Sequence, residues 1–150
     1  MSNTQTIWSH GANMQIEYAN RITSVRHTGP FVRVEGQSGQ NTWGHFPFNN
    51  PTQVNDTNIN LIKLFMSFRT REYGFINEIL VYDGEDIIFK TNHISLSGDN
   101  LEYELELDQP IKVKKGINVV LGFQFRPNPP NTRSTQIEII GVGIQLSANS

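Results

Sequence analysis

Two short segments of the 150-residue sequence echo each other: Trp8-Ser9-His10-Gly11 and Trp43-Gly44-His45-Phe46. On an extended strand residues i and i+2 share a face, so each tryptophan stands beside its histidine. If the two strands were neighbours, two indoles and two imidazoles would gather in one place. Indole faces stack on sugar rings and imidazoles supply hydrogen bonds. Such a cluster is a ligand platform, which Asn49 and Asn50 would complete. The alternative is structural: both tryptophans lie in the core with their N–H groups partnered, and the histidines beside them are satisfied packing groups.

The same histidines make a poor metal site. Two need a third ligand, and neither His-x-His nor His-Glu-x-x-His occurs. For calcium, Asp83-Gly84-Glu85-Asp86 is an acidic turn, and Ser97-Gly98-Asp99-Asn100 is a similar polar one. The first falls short of EF-hand spacing, and Asp, Gly and Asn suit turns for backbone reasons alone. Asp83, Glu85 and Asp86 are therefore weak metal candidates, and the expectation is no metal and no cofactor. Enzymatic signatures are also lacking: there is no Gly-x-Ser-x-Gly, no phosphate-binding glycine loop and no dinucleotide fingerprint. Glu102 and Glu104 fall on an expected solvent face, where nothing would desolvate either for acid catalysis. The sequence predicts a non-catalytic protein.

The elements that must hold these residues are strands. The chain has 16 Ile, 9 Val and 11 Thr against only 3 Ala. β-Branched residues lose side-chain freedom in helices and Ala is the best helix former, so a helical bundle is disfavoured. The absence of cysteine excludes a disulfide scaffold and thiolate chemistry. A net charge of −2 excludes a global basic footprint, and nucleic acid is not an expected partner. No apolar stretch approaches the ~20 residues of a membrane helix, so no membrane partner is expected either. The N-terminus lacks a basic and apolar leader, which gives a cytoplasmic location by default, with signal-less export as the other route.

Period-2 alternation dominates the chain. In Leu101-Glu102-Tyr103-Glu104-Leu105-Glu106-Leu107, four apolar residues would face a core and three glutamates water. Asp108-Gln109-Pro110 reads as a turn and Ile111 to Gly116 as the returning strand, setting glutamates against Lys112 and Lys114. Ile117, Val119, Leu121, Phe123 and Phe125 share one face of the next strand. Pro127 to Asn131 must be a loop. Residues 135–146 form a last strand, with a change of phase near Gly141 that predicts a bulge. Residues 60–70 and 75–82 are apolar on both faces and read as central strands covered on both sides. Shorter candidates lie at 4–10, 13–18, 21–27, 30–36, 42–48 and 85–90. About ten strands over residues 1–150 predict one all-β domain, an antiparallel β-sandwich or jelly roll.

Charge is segregated: residues 1–70 sum to +2, 71–108 to −8 and 109–150 to +4. Either the acidic and basic strands pair within the fold, or opposite charges on different faces favour head-to-tail contacts.

Several segments together resemble a family of small microbial β-sandwich proteins, a domain of unknown function. They are Trp8-x-His10-Gly11, Thr42-Trp43-Gly44-His45-Phe46-Pro47-Phe48, Phe65-Met66-Ser67-Phe68-Arg69-Thr70, Ile79-Leu80-Val81-Tyr82-Asp83-Gly84, Leu96-Ser97-Gly98-Asp99-Asn100, and Gly116 with Val119. The resemblance implies an all-β domain, with Trp8, His10, Trp43, His45 and Asp83 as hallmarks. It implies no activity. The Pro127–Asn131 loop is not among the matching segments. The leading expectation is a lectin-like carbohydrate-binding module using Trp8, His10, Trp43, His45, Asn49 and Asn50. The alternative is a self-assembling subunit of a homo-oligomer or extracellular filament, in which a neighbouring copy covers the apolar strands.

Overall fold

Ile117, Val119, Leu121, Phe123 and Phe125 are all buried at 1% exposure or less, so the alternation read from the sequence does set the inner face of a strand. In the computed structural model, which describes residues 3–91 and 93–148, twelve strands follow that logic. They are β1 (Asn3–His10), β2 (Gln15–Ile16), β3 (Ile22–His27), β4 (Val32–Gly36), β5 (Asn41–Pro47) and β6 (Gln53–Val54). Then come β7 (Thr57–Thr70), β8 (Gly74–Asp83), β9 (Asp86–Thr91), β10 (Asp99–Lys112), β11 (Ile117–Phe125) and β12 (Ile137–Ala148). Among the described residues there is no α-helix, only short 3-10 turns.

The strands form two antiparallel sheets. One has the order β10-β7-β12-β4-β3, with β1 lying along the rest of β12 and β6 hairpinned to β7. The other runs β2-β5-β11-β8-β9. One cluster of buried side chains joins them, with Leu64, Met66, Phe68, Val142 and Ile144 from the first sheet and Phe46, Ile79, Val119 and Phe123 from the second. Each such aliphatic or aromatic group withdrawn from water contributes about 1.5–3 kcal/mol. The expected antiparallel β-sandwich is what forms.

Four local expectations are corrected. Asp108-Gln109-Pro110 is not a hairpin turn: β10 runs through it and keeps β7 as its partner on both sides, through an irregularity between Glu106 and Ile111. β10 is a sheet edge, so the N–H that Pro110 lacks is missing where no second neighbour needs it. The glutamates therefore do not face Lys112 and Lys114; Lys63 of β7 pairs with Glu104 at 3.6 Å instead. Leu101 is 47% exposed rather than inward, because a bulge between Asn100 and Tyr103 turns it out. The strand expected at 13–18 shrinks to two residues, cut off by the 3-10 turn Gly11–Asn13 and by Tyr18 at φ 56°. Finally, β7 and β8 are inner strands of different sheets, and their outward faces are covered only in part. Ile62 and Phe65 on β7 remain half-buried.

The bulge near Gly141 is present. Ile139 pairs with Phe68 and Gly141 with Ser67, so Ile140 is the extra residue. It brings Ile137 and Ile139 onto the same inner face as Val142, Ile144 and Leu146. Within the segregated charge, Arg33 and Arg69 both reach Glu138, at 2.8 Å and 3.6 Å.

Candidate functional site

The outward face of the five-stranded sheet is assembled in rows across the strands. Trp43 of β5 lies level with Gly122 of β11 and Glu78 of β8. The next row holds Gln15, His45, Val120, Leu80 and Lys90, and the one after it Pro47, Asn118, Tyr82 and Ile87. Because side chains alternate, the residues between these rows (Phe46, Val119 and Val81, for example) point into the core. Asn118, Val120 and Gly122 lie on the face of β11 opposite the buried Ile117, Val119, Leu121 and Phe123.

Trp43 is held in a fixed pose. Its Nε1–H donates to Glu78 Oε1 at 2.9 Å, a charge-assisted bond that anchors the indole edge. Glycine at 122 makes room: a Cβ there would meet Glu78 Cβ at 2.9 Å. Beyond the other side of Trp43, the β2–β3 connection folds against β5. The Glu17 N–H donates to the Trp43 carbonyl at 2.8 Å, and Thr42 Oγ1 donates to the Glu17 carbonyl. The left-handed backbone at Tyr18, uncommon for a non-glycine residue, aims its ring edge-on at the indole, with centroids 6.0 Å apart. The Arg21 guanidinium lies over the face of the same tyrosine ring, 4.0 Å from its centroid, and so braces it.

His45 is bonded at both ring nitrogens. Nε2 lies 2.9 Å from Glu17 Oε1, and Nδ1 lies 3.2 Å from Asn118 Nδ2. With the amide donating to Nδ1, the ring proton sits on Nε2 and is donated to Glu17. Asn118 Oδ1 is buried without a partner. Together these groups frame a shallow cleft of about 330 Å³, floored by Leu80 and Val120 and closed toward β9 by Tyr82, Ile87 and Lys90. The arrangement pairs the half-buried Trp43 ring with polar groups whose hydrogen bonds fix their directions. Such a surface suits an amphipathic ligand with one apolar face and a ring of hydroxyls.

The other residues singled out from the sequence lie elsewhere. β1 belongs to the first sheet and β5 to the second, so Trp8 and His10 do not join Trp43 and His45. Neither tryptophan enters the core cluster, and Trp8 is 53% exposed. His10 caps the first 3-10 turn, its Nδ1 accepting from the Ala12 N–H at 2.9 Å. Gly11 follows because a Cβ would lie 1.8 Å from the Ile139 carbonyl oxygen. Asn50 is used within the chain, its Oδ1 accepting from Ile117 N–H and its amide donating to the Pro51 carbonyl, while Asn49 is exposed beside it. Asp83 is 4% exposed and accepts the Lys114 and Lys115 N–H groups at 2.7 and 2.8 Å, so its oxygens are occupied. Glu85 sits exposed on the β8–β9 turn and Asp86 exposed at the start of β9, and among the described residues no three potential ligands converge on a metal geometry. No helix among them is long and apolar enough to cross a membrane.

A family model described as a family of unknown function (DUF6623) matches residues 2–150. The chain belongs to this family. The expected kinship to a β-sandwich domain of unknown function is thus met. No curated protein matches the sequence. Among solved structures, a xylan-binding module, CBM15, aligns over 99% of this chain and 100% of its own, at TM-score 0.56 and 14% identity. A low-affinity xylan-binding module, CBM86, from the gut symbiont Roseburia intestinalis aligns over 97% and 96%, at TM-score 0.54 and 9% identity. A family 29 carbohydrate-binding module aligns over 97% and 89%, at TM-score 0.50 and 15% identity. At these identities the likeness is one of fold.

Sequence reasoning missed Glu17, Tyr18, Glu78, Leu80, Tyr82 and Lys90. The alternation of β8 carried a signal, since Glu78 and Tyr82 interrupt an apolar run on its outward face. Tyr18 carried none, because its place depends on a left-handed turn that no local pattern announces.

Proposed function

We propose that this protein is a non-catalytic carbohydrate-binding module that takes a neutral glycan on the outward face of the β2-β5-β11-β8-β9 sheet. The observation that carries this reading is the posed Trp43, anchored by Glu78, edged by Tyr18 and followed along β5 by the Glu17–His45–Asn118 chain. The indole offers its apolar face to a sugar ring, and the carboxylates and amide accept or donate to its hydroxyls. Five strands at ~4.8 Å spacing give the face roughly 19 Å of width, room for several sugar units. The similar folds are those of proteins described as binding carbohydrate, xylan in two cases, which supports the ligand class. Both carboxylates are already partnered, and Glu17 is 42% exposed, whereas an acid catalyst needs a desolvated carboxyl.

Trp43→Ala is the test. Loss of a central aromatic anchor costs about 2 kcal/mol or more, so binding on a glycan array or in affinity electrophoresis should fall at least ~30-fold with the circular dichroism unchanged. Unaltered binding by that variant, or a wild-type protein that retains no glycan, sinks the reading.

A second reading, a self-assembling subunit, is favoured by β10, whose fourteen residues leave one edge unpaired. Light scattering decides it: a mass that stays monomeric across protein concentration and salt removes it.

A further inference from the structure

The opposite outer face of the sandwich carries its own aromatic platform. Trp8 of β1 lies level with Gly143 of β12, Phe65 of β7 and Glu104 of β10. The indole rests flat on bare backbone. A Cβ at Gly143 would lie 3.0 Å from Trp8 Cδ2 and 3.1 Å from Cε2, and one at Gly141 3.4 Å from Cε3. Two glycines two residues apart on β12 therefore lower the sheet surface to the thickness of a ring. Phe65 continues the plane, its centroid 5.7 Å away and tilted by only 31°. One π-face of the indole is pressed on the sheet and the other is open, which is why Trp8 is 53% exposed. The bulge in β10 turns Leu101 out beside these rings, and together with Glu102 and Glu104 they frame a depression of about 520 Å³. Lys63 spans from Glu104 toward the Phe65 ring.

We infer that this face is a second carbohydrate-stacking site, centred on Trp8 and Phe65, so that one molecule holds two neutral glycan chains on opposite sides. An open indole face with carboxylates and an ammonium at its margin fits a ring that is apolar on one side and hydroxylated at its rim. A second copy of the chain fits less well. A two-fold contact through this patch would bring the exposed Glu102 and Glu104 of one molecule against those of the other. The two platforms lie on the outer sides of sheets ~10 Å apart, so one short ligand cannot touch both. The ligand class rests on the reading above; the existence of a separate second site does not.

The chain holds only 2 tryptophans, one on each face, and each can be read alone. Trp43→Phe leaves Trp8 as the sole indole, and Trp8→Phe leaves Trp43. Each variant is titrated with linear hexasaccharides of xylose, glucose, mannose and galactose while its emission and acrylamide quenching are followed. The expected result is saturable protection of both indoles. Gly143→Ala in the Trp8-only protein lifts the indole and should weaken its response about fivefold. The same change in the Trp43-only protein should leave that response unaltered. If Trp43 responds and Trp8 does not, the second site is overturned and the first reading stands. A Trp8 signal that tracks protein concentration instead of sugar assigns the patch to self-association and also overturns it. If neither indole responds, both proposals fall.

Discussion

At the residue scale, the repeated Trp-x-His motif turns out to serve two separate ends. Trp43 is posed by a carboxylate and Trp8 by glycines, while His45 is a link in a polar chain and His10 a cap. The i, i+2 spacing read from the sequence is correct for both pairs. What differs is what the neighbouring strands present, and that is not a property of either motif. Tyr103 makes a separate, testable case. It packs edge-on to Phe68 at 6.3 Å, and burial raises its pKa above the ordinary 10.0 by disfavouring the phenolate. The raised value means the fold favours the protonated ring. That contribution is intact below pH 10 and is lost as pH climbs through the higher, folded-state value. Chemical denaturation of wild type and Tyr103→Phe across about pH 9 to 11 should show the wild type losing more stability than the variant. Parallel curves would remove the effect.

Elements meet through connections that the alternation pattern does not describe. Asp83 ends β8 and accepts two backbone N–H groups from the segment between β10 and β11, which fastens the β8–β9 turn to the other sheet's exit. In the sequence this aspartate reads as part of an acidic turn and a weak calcium candidate; its partners are 31 and 32 residues away. Asp83→Ala strands two N–H groups in a partly buried place, so it should cost about 1–3 kcal/mol and lower Tm by several degrees. Asp83→Asn, which keeps one acceptor oxygen, should lose less. Added calcium should raise the melting temperature of neither variant above its metal-free value. Pro110 teaches the same lesson from the other direction. A proline reads locally as a turn, yet on an edge strand it is tolerated within a ladder, and β10 continues through it.

For the molecule as a whole, net charge and the charges on the proposed faces decide which ligands are welcome. The chain carries −2 overall. Glu17 and Glu78 line one cleft with Lys90, and Glu102 and Glu104 line the other. A neutral oligosaccharide should therefore bind with an affinity that changes by less than about twofold between low and high salt. A uronic-acid oligomer should bind more weakly and recover as salt screens the repulsion. Isothermal calorimetry at two ionic strengths measures both. Strong, salt-sensitive binding of the acidic oligomer would contradict the assignment of ligand class.

Sequence by itself determined the class of fold and most of the strands, because β-branched abundance and period-2 alternation are local consequences of burying one face of an extended chain. It also located the β12 bulge, since an extra residue reverses the phase of the pattern in the chain itself. Only the tertiary structure decided which strands are neighbours. That choice placed Trp8 and Trp43 on opposite faces, set Glu78 at the edge of one indole and two glycines beneath the other, and carried β10 through Pro110 along an open edge. Strand pairing joins residues many tens of positions apart through backbone groups that every residue shares, so side-chain pattern alone cannot select the partner.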